Sequence, residues 1–262
     1  MESATSSQEI PVIEMRDVCA VSLRDQSTVI VEEVNWTVTG SDYWVVAGLQ
    51  GSGKSDFLTM TAGLMAPVSG IYRFLGQAMP IFDEQRLRHR LRLGLVFETG
   101  QLFNHLTVME NVVLPLRYHY DLPKAEAQEQ VRELLEIMEL GPWADSTPGA
   151  IGRNWQKRVG LARALALKPE LLLLDNPLGG LDLRHAYWWQ TFLNHLSKGH
   201  SLMNGRKTAL VVTAADLRPW KGRARQFAIL REKKFSVLGT WSQLEAASSE
   251  LLQELLPMES HA

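Results

Sequence analysis

Short apolar runs and longer helical stripes alternate along this chain. In the first forty residues the runs VIEM and TVIVEEVNWTV are rich in Val, Ile and Trp and are split by polar turns, which predicts antiparallel strands. Tyr43 to Leu49 is the longest apolar stretch and reads as one buried strand, far short of the ~18 residues that span a bilayer. After it, Phe57, Thr61, Leu64 and Met65 recur at helical spacing until Pro67 and Gly70 stop the pattern. A longer helix is expected from Lys124 to Leu140, with Val131, Leu134, Leu135 and Met138 on one face and the breaker Gly141-Pro142 behind it. Residues 100–168 therefore predict a mostly helical subdomain inserted in the domain. LLLLD at 171–175 and ALVVT at 209–213 are the continuous runs of parallel strands buried on both faces. The tail predicts a packing or capping helix over roughly 241–256. The expected class is α/β, with a mainly parallel sheet core, N-terminal antiparallel strands and a helical subdomain.

Composition narrows the field mostly by exclusion. A chain of 262 residues exceeds the roughly 150 usual per domain, yet one α/β domain with a subdomain can be this long, so 1–262 reads as a single unit. A hydrophobic fraction of 45% and a charged fraction of 21% rule out disordered and fibrous classes. Lys plus Arg number 27 against 29 Asp plus Glu, so no basic excess points to nucleic acid or an anionic membrane surface. Cys19 is the one cysteine and sits in the apolar run VCAV, which reads as a small buried side chain. The start MESATSSQE has neither a basic n-region nor an apolar h-region, which argues for a cytoplasmic chain that reaches a membrane only through a partner. His89, His105, His119 and His185 have no metal-site spacing and read as solvated or packing residues.

The strongest chemical signal is Gly48-Leu49-Gln50-Gly51-Ser52-Gly53-Lys54-Ser55, which satisfies G-x-x-x-x-G-K-[ST] between an expected strand and an expected helix. In such a loop, backbone N–H groups around Gly48, Gly51, Ser52 and Gly53 curl about phosphates, and the helix N-terminus adds its positive end. Lys54 reaches the β- and γ-phosphates, and Ser55 ligates Mg²⁺. LLLLDN supplies the matching acid, Asp175, at the end of a buried strand, where it would hold the metal through water. The expected ligands are ATP and Mg²⁺.

The order of further segments resembles the nucleotide-binding subunit of an ABC transporter over residues 10–245. LGLVFETGQLFNHLTVMENVVLPLRYH resembles the family's Q-loop and the stretch beyond it. WQKRVGLARALALKPELLLLD resembles the signature helix running into Walker B, and PLGGLD resembles the D-loop, with Leu181-Asp182. Within the family, GQLFNHLTVMENVVLPLRYH is most similar to the Mla/Mce-type ATPases that energise lipid movement between bacterial membranes.

The resemblance also implies departures at the catalytic positions. Asn176 stands where the family carries the Glu that acts on the attacking water, and an amide cannot accept a proton; losing a general base costs ~10²–10⁴-fold. Ala214 and Ala215 stand where a switch histidine is expected. The Q-loop glutamine is Glu98, either a ligand for a metal-bound water or a substitute base. The signature pentapeptide aligns with Ile151-Gly152-Arg153-Asn154-Trp155, and only its apolar first position matches. The run Val18–Arg24 has no aromatic residue to stack on adenine, an expected loss of ~1–3 kcal/mol by analogy with base stacking.

Three readings follow: an ATPase that drives a membrane partner, a degenerate subunit that holds MgATP with weak or absent hydrolysis, and a scaffold that has lost nucleotide. The second is preferred: the departures above oppose the first, and the third is disfavoured because Lys54, Ser55 and Asp175 remain together. The partners implied are a transmembrane permease docking near 98–120, where Leu102, Phe103, Val113, Leu114 and Leu116 supply apolar side chains, and a second nucleotide-binding subunit, expected to be a different, competent ATPase. The place implied is the inner face of the cytoplasmic membrane.

Overall fold

The continuous apolar runs become the centre of one ten-stranded sheet in the computed structural model, which describes residues 10–246 apart from 80 and 82. The strands are β1 (Ile13–Val21), β2 (Val29–Val38), β3 (Tyr43–Ala47), β4 (Ser69–Phe74), β5 (Gln77–Ala78), β6 (Leu93–Val96), β7 (Leu171–Leu174), β8 (Ala209–Ala214), β9 (Gln226–Arg231) and β10 (Lys234–Gly239). Their order is β5-β4-β1-β2-β10-β9-β3-β8-β7-β6. From β9 to β6 the neighbours run parallel, with Val45 opposite Val212 and Leu173 opposite Val211. Every residue of β3, β7 and β8 is buried, as strands covered on both faces must be. β1, β2, β4 and β5 pair antiparallel and meet the parallel half through Lys234 of β10 beside Glu32 of β2.

The helices are α1 (Lys54–Thr61), α2 (Leu87–Arg90), α3 (Val108–Tyr120), α4 (Lys124–Gln130), α5 (Arg132–Ile137), α6 (Arg153–Leu165), α7 (Leu183–Lys198) and α8 (Trp241–Ala246). Alternation along the central strands divides the core in two. Trp44, Val46, Leu171, Leu173 and Val211 pack with α1 and the antiparallel strands. Tyr43, Val45, Leu172, Leu174, Leu210 and Val212 pack with α3, α5, α6 and α7. Between 100 and 168 the chain runs through α3 to α6 with two short 3₁₀ turns. A Thr107–Glu110 capping box starts α3, and the buried Asn111 holds the preceding loop through bonds to Phe103, Leu106 and Thr107.

Two expected elements differ from the sequence reading. The helix after the glycine loop stops at Thr61, because Gly63 turns left-handed (φ 70°); Leu64 is exposed and outside the stripe. The stretch 124–140 is two helices, since Val131 leaves helical geometry (φ −101°, ψ 2°), although Val131, Leu134, Leu135 and Met138 are all buried as patterned. Cys19 is half-buried, and burial, with the Glu32 charge, pushes its thiol pKa up, which disfavours the thiolate. α8 covers 241–246 of the expected terminal helix; 247–256, like the start MESATSSQE, lies outside the described residues. Among the described residues no helix is long and apolar enough to cross a membrane.

Candidate functional site

The loop between β3 and α1 is shaped by two left-handed glycines, Gly51 (φ 81°) and Gly53 (φ 88°), a conformation other residues reach only at a cost. Gly48 answers a different need. A Cβ there would lie 2.6 Å from the Leu230 carbonyl oxygen and 2.6 Å from Ser52 Oγ, so only glycine lets this backbone lie so close to β9. Lys54 Nζ donates to the Gly48 and Leu49 carbonyl oxygens, each at 2.8 Å, placing the ammonium inside the loop. Burial pushes the Lys54 pKa down, while the charges of Asp175 and then Glu98 push it back up. Ser55 is exposed in the first turn of α1. A glycine cradle with an internal cation, a hydroxyl at a helix N-terminus and an acid across from them fits a nucleoside triphosphate with Mg²⁺, which Ser55 and Asp175 would hold.

The opposite wall is formed by the carboxyl ends of β6, β7 and β8. Thr213 Oγ1 donates to Asp175 Oδ1 at 2.7 Å and accepts the Asn176 backbone N–H at 3.0 Å, so the end of β8 fixes the two residues that follow β7. Asn176 is left-handed (φ 41°) and its Nδ2 donates to Glu98 Oε1 at 2.6 Å. Lys157 of α6 donates to the carbonyl oxygens of Asn176 (3.3 Å), Pro177 (3.4 Å) and Gly179 (2.5 Å), which ties that turn to the signature helix. Desolvation lowers the Lys157 pKa, opposed by Glu98 and then Asp175. The loop carrying Glu98 is itself pinned to α6. A Cβ on Gly160 would lie 2.7 Å from Gly100 Cα, and Arg163 donates to the Gly100 carbonyl oxygen at 2.8 Å.

Glu98, Arg153, Asn154, Lys157 and Gly179 border a cleft of about 430 Å³. Within it Arg153 is exposed, but Asn154 is already engaged: its Nδ2 donates to Asp182 Oδ2 at 2.8 Å, and Asp182 caps α7 through the His185 N–H. Trp155 does not project into the cleft. Its ring packs on Trp143, His185 and the Arg158 guanidinium. Ala214 is buried at the end of β8 and Ala215 is exposed after it, so no imidazole stands there. The β1–β2 turn is polar apart from the exposed Leu23 and offers no aromatic ring. Among the described residues no cluster of three or more His, Cys, Asp and Glu forms a metal site, and His89, His105, His119 and His185 make ring contacts with aromatic neighbours. Residue order alone gives Thr213, Lys157 and Gly179 no site role. Thr213 stands in the run ALVVT, where its polar side chain was the available signal.

A protein-family model described as ABC transporter matches residues 31–179. The chain belongs to the ABC transporter family. It is 30% identical over 240 residues to the spermidine/putrescine import ATP-binding protein PotA of Thermobifida fusca, covering 91% of this chain and 60% of that one. It is 34% identical over 214 residues to the taurine import ATP-binding protein TauB of Mesorhizobium japonicum, covering 79% and 80%. Other relatives are matched over only 52% or 43% of their length, so the chain spans about half of several curated relatives. The fold matches the dimeric, ADP- and phosphate-bound post-hydrolysis structure of the ATP-binding cassette MJ0796, with a TM-score of 0.74 and 25% identity, over 85% of this chain and 95% of that one. PotA and TauB are named for import. The likeness to Mla/Mce lipid ATPases expected from 100–119 finds no support in them.

Proposed function

We propose that this cassette is the nucleotide-binding subunit of an import-type ABC complex, that it holds MgATP, and that its own hydrolysis is slow. The observation that carries this is the pairing of a complete phosphate cradle around Lys54 with an amide, Asn176, beside Asp175. The first half supports binding; the second removes the carboxylate that would act on water from the end of β7. Its relatives are named for polyamine and taurine import, which supports a small polar solute as cargo.

The proposed partners are a transmembrane permease at the cytoplasmic membrane and a second ATPase. A dimer of two such chains would lack both the Asn176-side carboxylate and the signature glycines at each site, so the reading places fast turnover on a different subunit. At that subunit's site, Arg153 is the side chain left to contact the γ-phosphate, since Asn154 is bound to Asp182. The complex purified from its native host should contain this chain, a permease and a second, non-identical ATPase. Two copies of this chain with no other ATPase would refute the pairing.

The surface for the permease separates into core and contact residues. Val113 and Leu116 are buried and belong to the local core, and Leu102 and Leu114 are half-buried. Phe103 is 48% exposed, with Tyr118 and Tyr120 also outward. Phe103→Glu should therefore release the permease on copurification while the isolated chain keeps its wild-type thermal transition. Release accompanied by unfolding would return Phe103 to a structural role.

A further inference from the structure

We propose that Glu98 is the proton acceptor for the slow hydrolysis of this cassette and that Asn176 is its positioning residue; this rests on the nucleotide-binding reading above. Of the carboxylates near the phosphate loop, Asp175 is committed to Thr213 at 2.7 Å. Glu98 follows β6, whose carboxyl end lies on the same edge of the parallel sheet as the ends of β7 and of β3, where the phosphate loop begins, and its charge acts on Lys54. Its Oε1 takes the Asn176 amide at 2.6 Å, and among the described residues its Oε2 has no hydrogen-bond partner. A carboxylate held by one oxygen and open at the other is the arrangement a general base needs.

The surroundings are fitted to this pair. A Cβ on Gly179 would lie 2.3 Å from Asn176 Nδ2 and 2.9 Å from Glu98 Oε1, so glycine there leaves room for the contact. Asn176 is left-handed (φ 41°), a region that asparagine enters several-fold more readily than most residues. The Gly100–Gly160 contact, where a Cβ on Gly160 would lie 2.7 Å from Gly100 Cα, pins the Glu98 loop to α6, and Lys157 pins the Asn176 turn to the same helix. Carboxylate and amide are thus carried by two loops that one helix holds together.

In the step, the water oxygen bonds to the γ-phosphorus as the bond from that phosphorus to the β–γ bridging oxygen breaks. The electron pair of the broken bond leaves with the nucleoside diphosphate. The proton of the water passes to Glu98 Oε2 and from there to bulk solvent, so water and triphosphate give diphosphate, inorganic phosphate and a proton.

The test exchanges the two groups of the pair. In single-turnover phosphate release by the full chain loaded with MgATP, Glu98→Gln should lower the rate by ~10²–10⁴-fold, with no loss of MgATP affinity by calorimetry. Asn176→Glu alone sets two carboxylates against each other and should not raise the rate. Glu98→Gln combined with Asn176→Glu restores one carboxylate and one amide and should recover to within about tenfold of wild type, the remainder being backbone strain at position 176. Thermal unfolding of the nucleotide-free chain should follow the same pattern, lowered in Asn176→Glu and recovered in the double variant. Wild-type turnover by Glu98→Gln overturns the proposal. So does MgATP binding with no phosphate release by the wild type, or a double variant no better than Asn176→Glu in both assays. Failure of the wild type to bind MgATP would instead remove the nucleotide-binding reading itself.

Discussion

Lys54→Ala is expected to lower the MgATP affinity of the full chain by roughly 100-fold, since the ammonium supplies charge-assisted hydrogen bonds worth ~1.5–3 kcal/mol each and ~1.4 kcal/mol is a factor of ten. The side chain is already placed for this role. Its Nζ lies 2.8 Å from the Gly48 and Leu49 carbonyl oxygens, within the loop rather than out in solvent. Folding should survive the change: burial desolvates the ammonium and pushes its pKa down, and removing it offsets the loss of two carbonyl contacts. Isothermal calorimetry with MgATP on wild type and variant measures the difference. Equal affinities would mean that nucleotide, if it binds at all, binds away from this loop.

Arg158→Ala is expected to destabilise the chain by about 3 kcal/mol, a drop in Tm of roughly 6–12 °C for a domain of this size. Arg158 is only 1% exposed. Its guanidinium carbon sits 3.8 Å from the Trp188 ring centroid and 4.7 Å from that of Trp155, and Nη1 donates to Glu139 Oε2 at 2.8 Å. Removing it empties the space between two indole rings and breaks a charge-assisted bond, whereas the freed Glu139 carboxylate is near enough to solvent to be rehydrated. Burial lowers the Arg158 pKa and Glu139 opposes that, but a guanidinium stays charged at any usable pH; its charge also adds to the burial that holds the His185 pKa down, so the loss should be smaller near pH 6 than at pH 8, where His185 is neutral in both states. Calorimetric unfolding checks it, and a change below about 1 kcal/mol would show that the desolvation of the buried charge cancels its contacts.

Much of this architecture is legible in the residues because hydrophobic period and glycine placement are local properties. YWVVA, LLLL and ALVVT are buried throughout as their continuous apolar pattern requires, and the G-x-x-x-x-G-K-S run folds between β3 and α1 because its left-handed turns need glycine at 51 and 53. Pattern also fixed which face of 124–140 is buried, but not the break at Val131, since periodicity records burial more faithfully than continuity of the hydrogen-bond ladder.

What the sequence by itself determined was the family, the phosphate loop with Lys54, Ser55 and Asp175, and the identities of the side chains at 98, 176 and 214. Only the tertiary structure decided how these meet. Glu98 and Asn176 are 78 residues apart, and their 2.6 Å contact exists because β6 and β7 are parallel neighbours whose carboxyl ends open on the same edge. Asn154 is held by Asp182, and Trp155 turns inward onto Arg158, because α7 packs beside α6; read along the chain, Asn154 and Trp155 are simply the start of a polar helix. Hydrogen bonds and ring contacts between distant segments depend on register and packing angle, and neither quantity is written in local residue order.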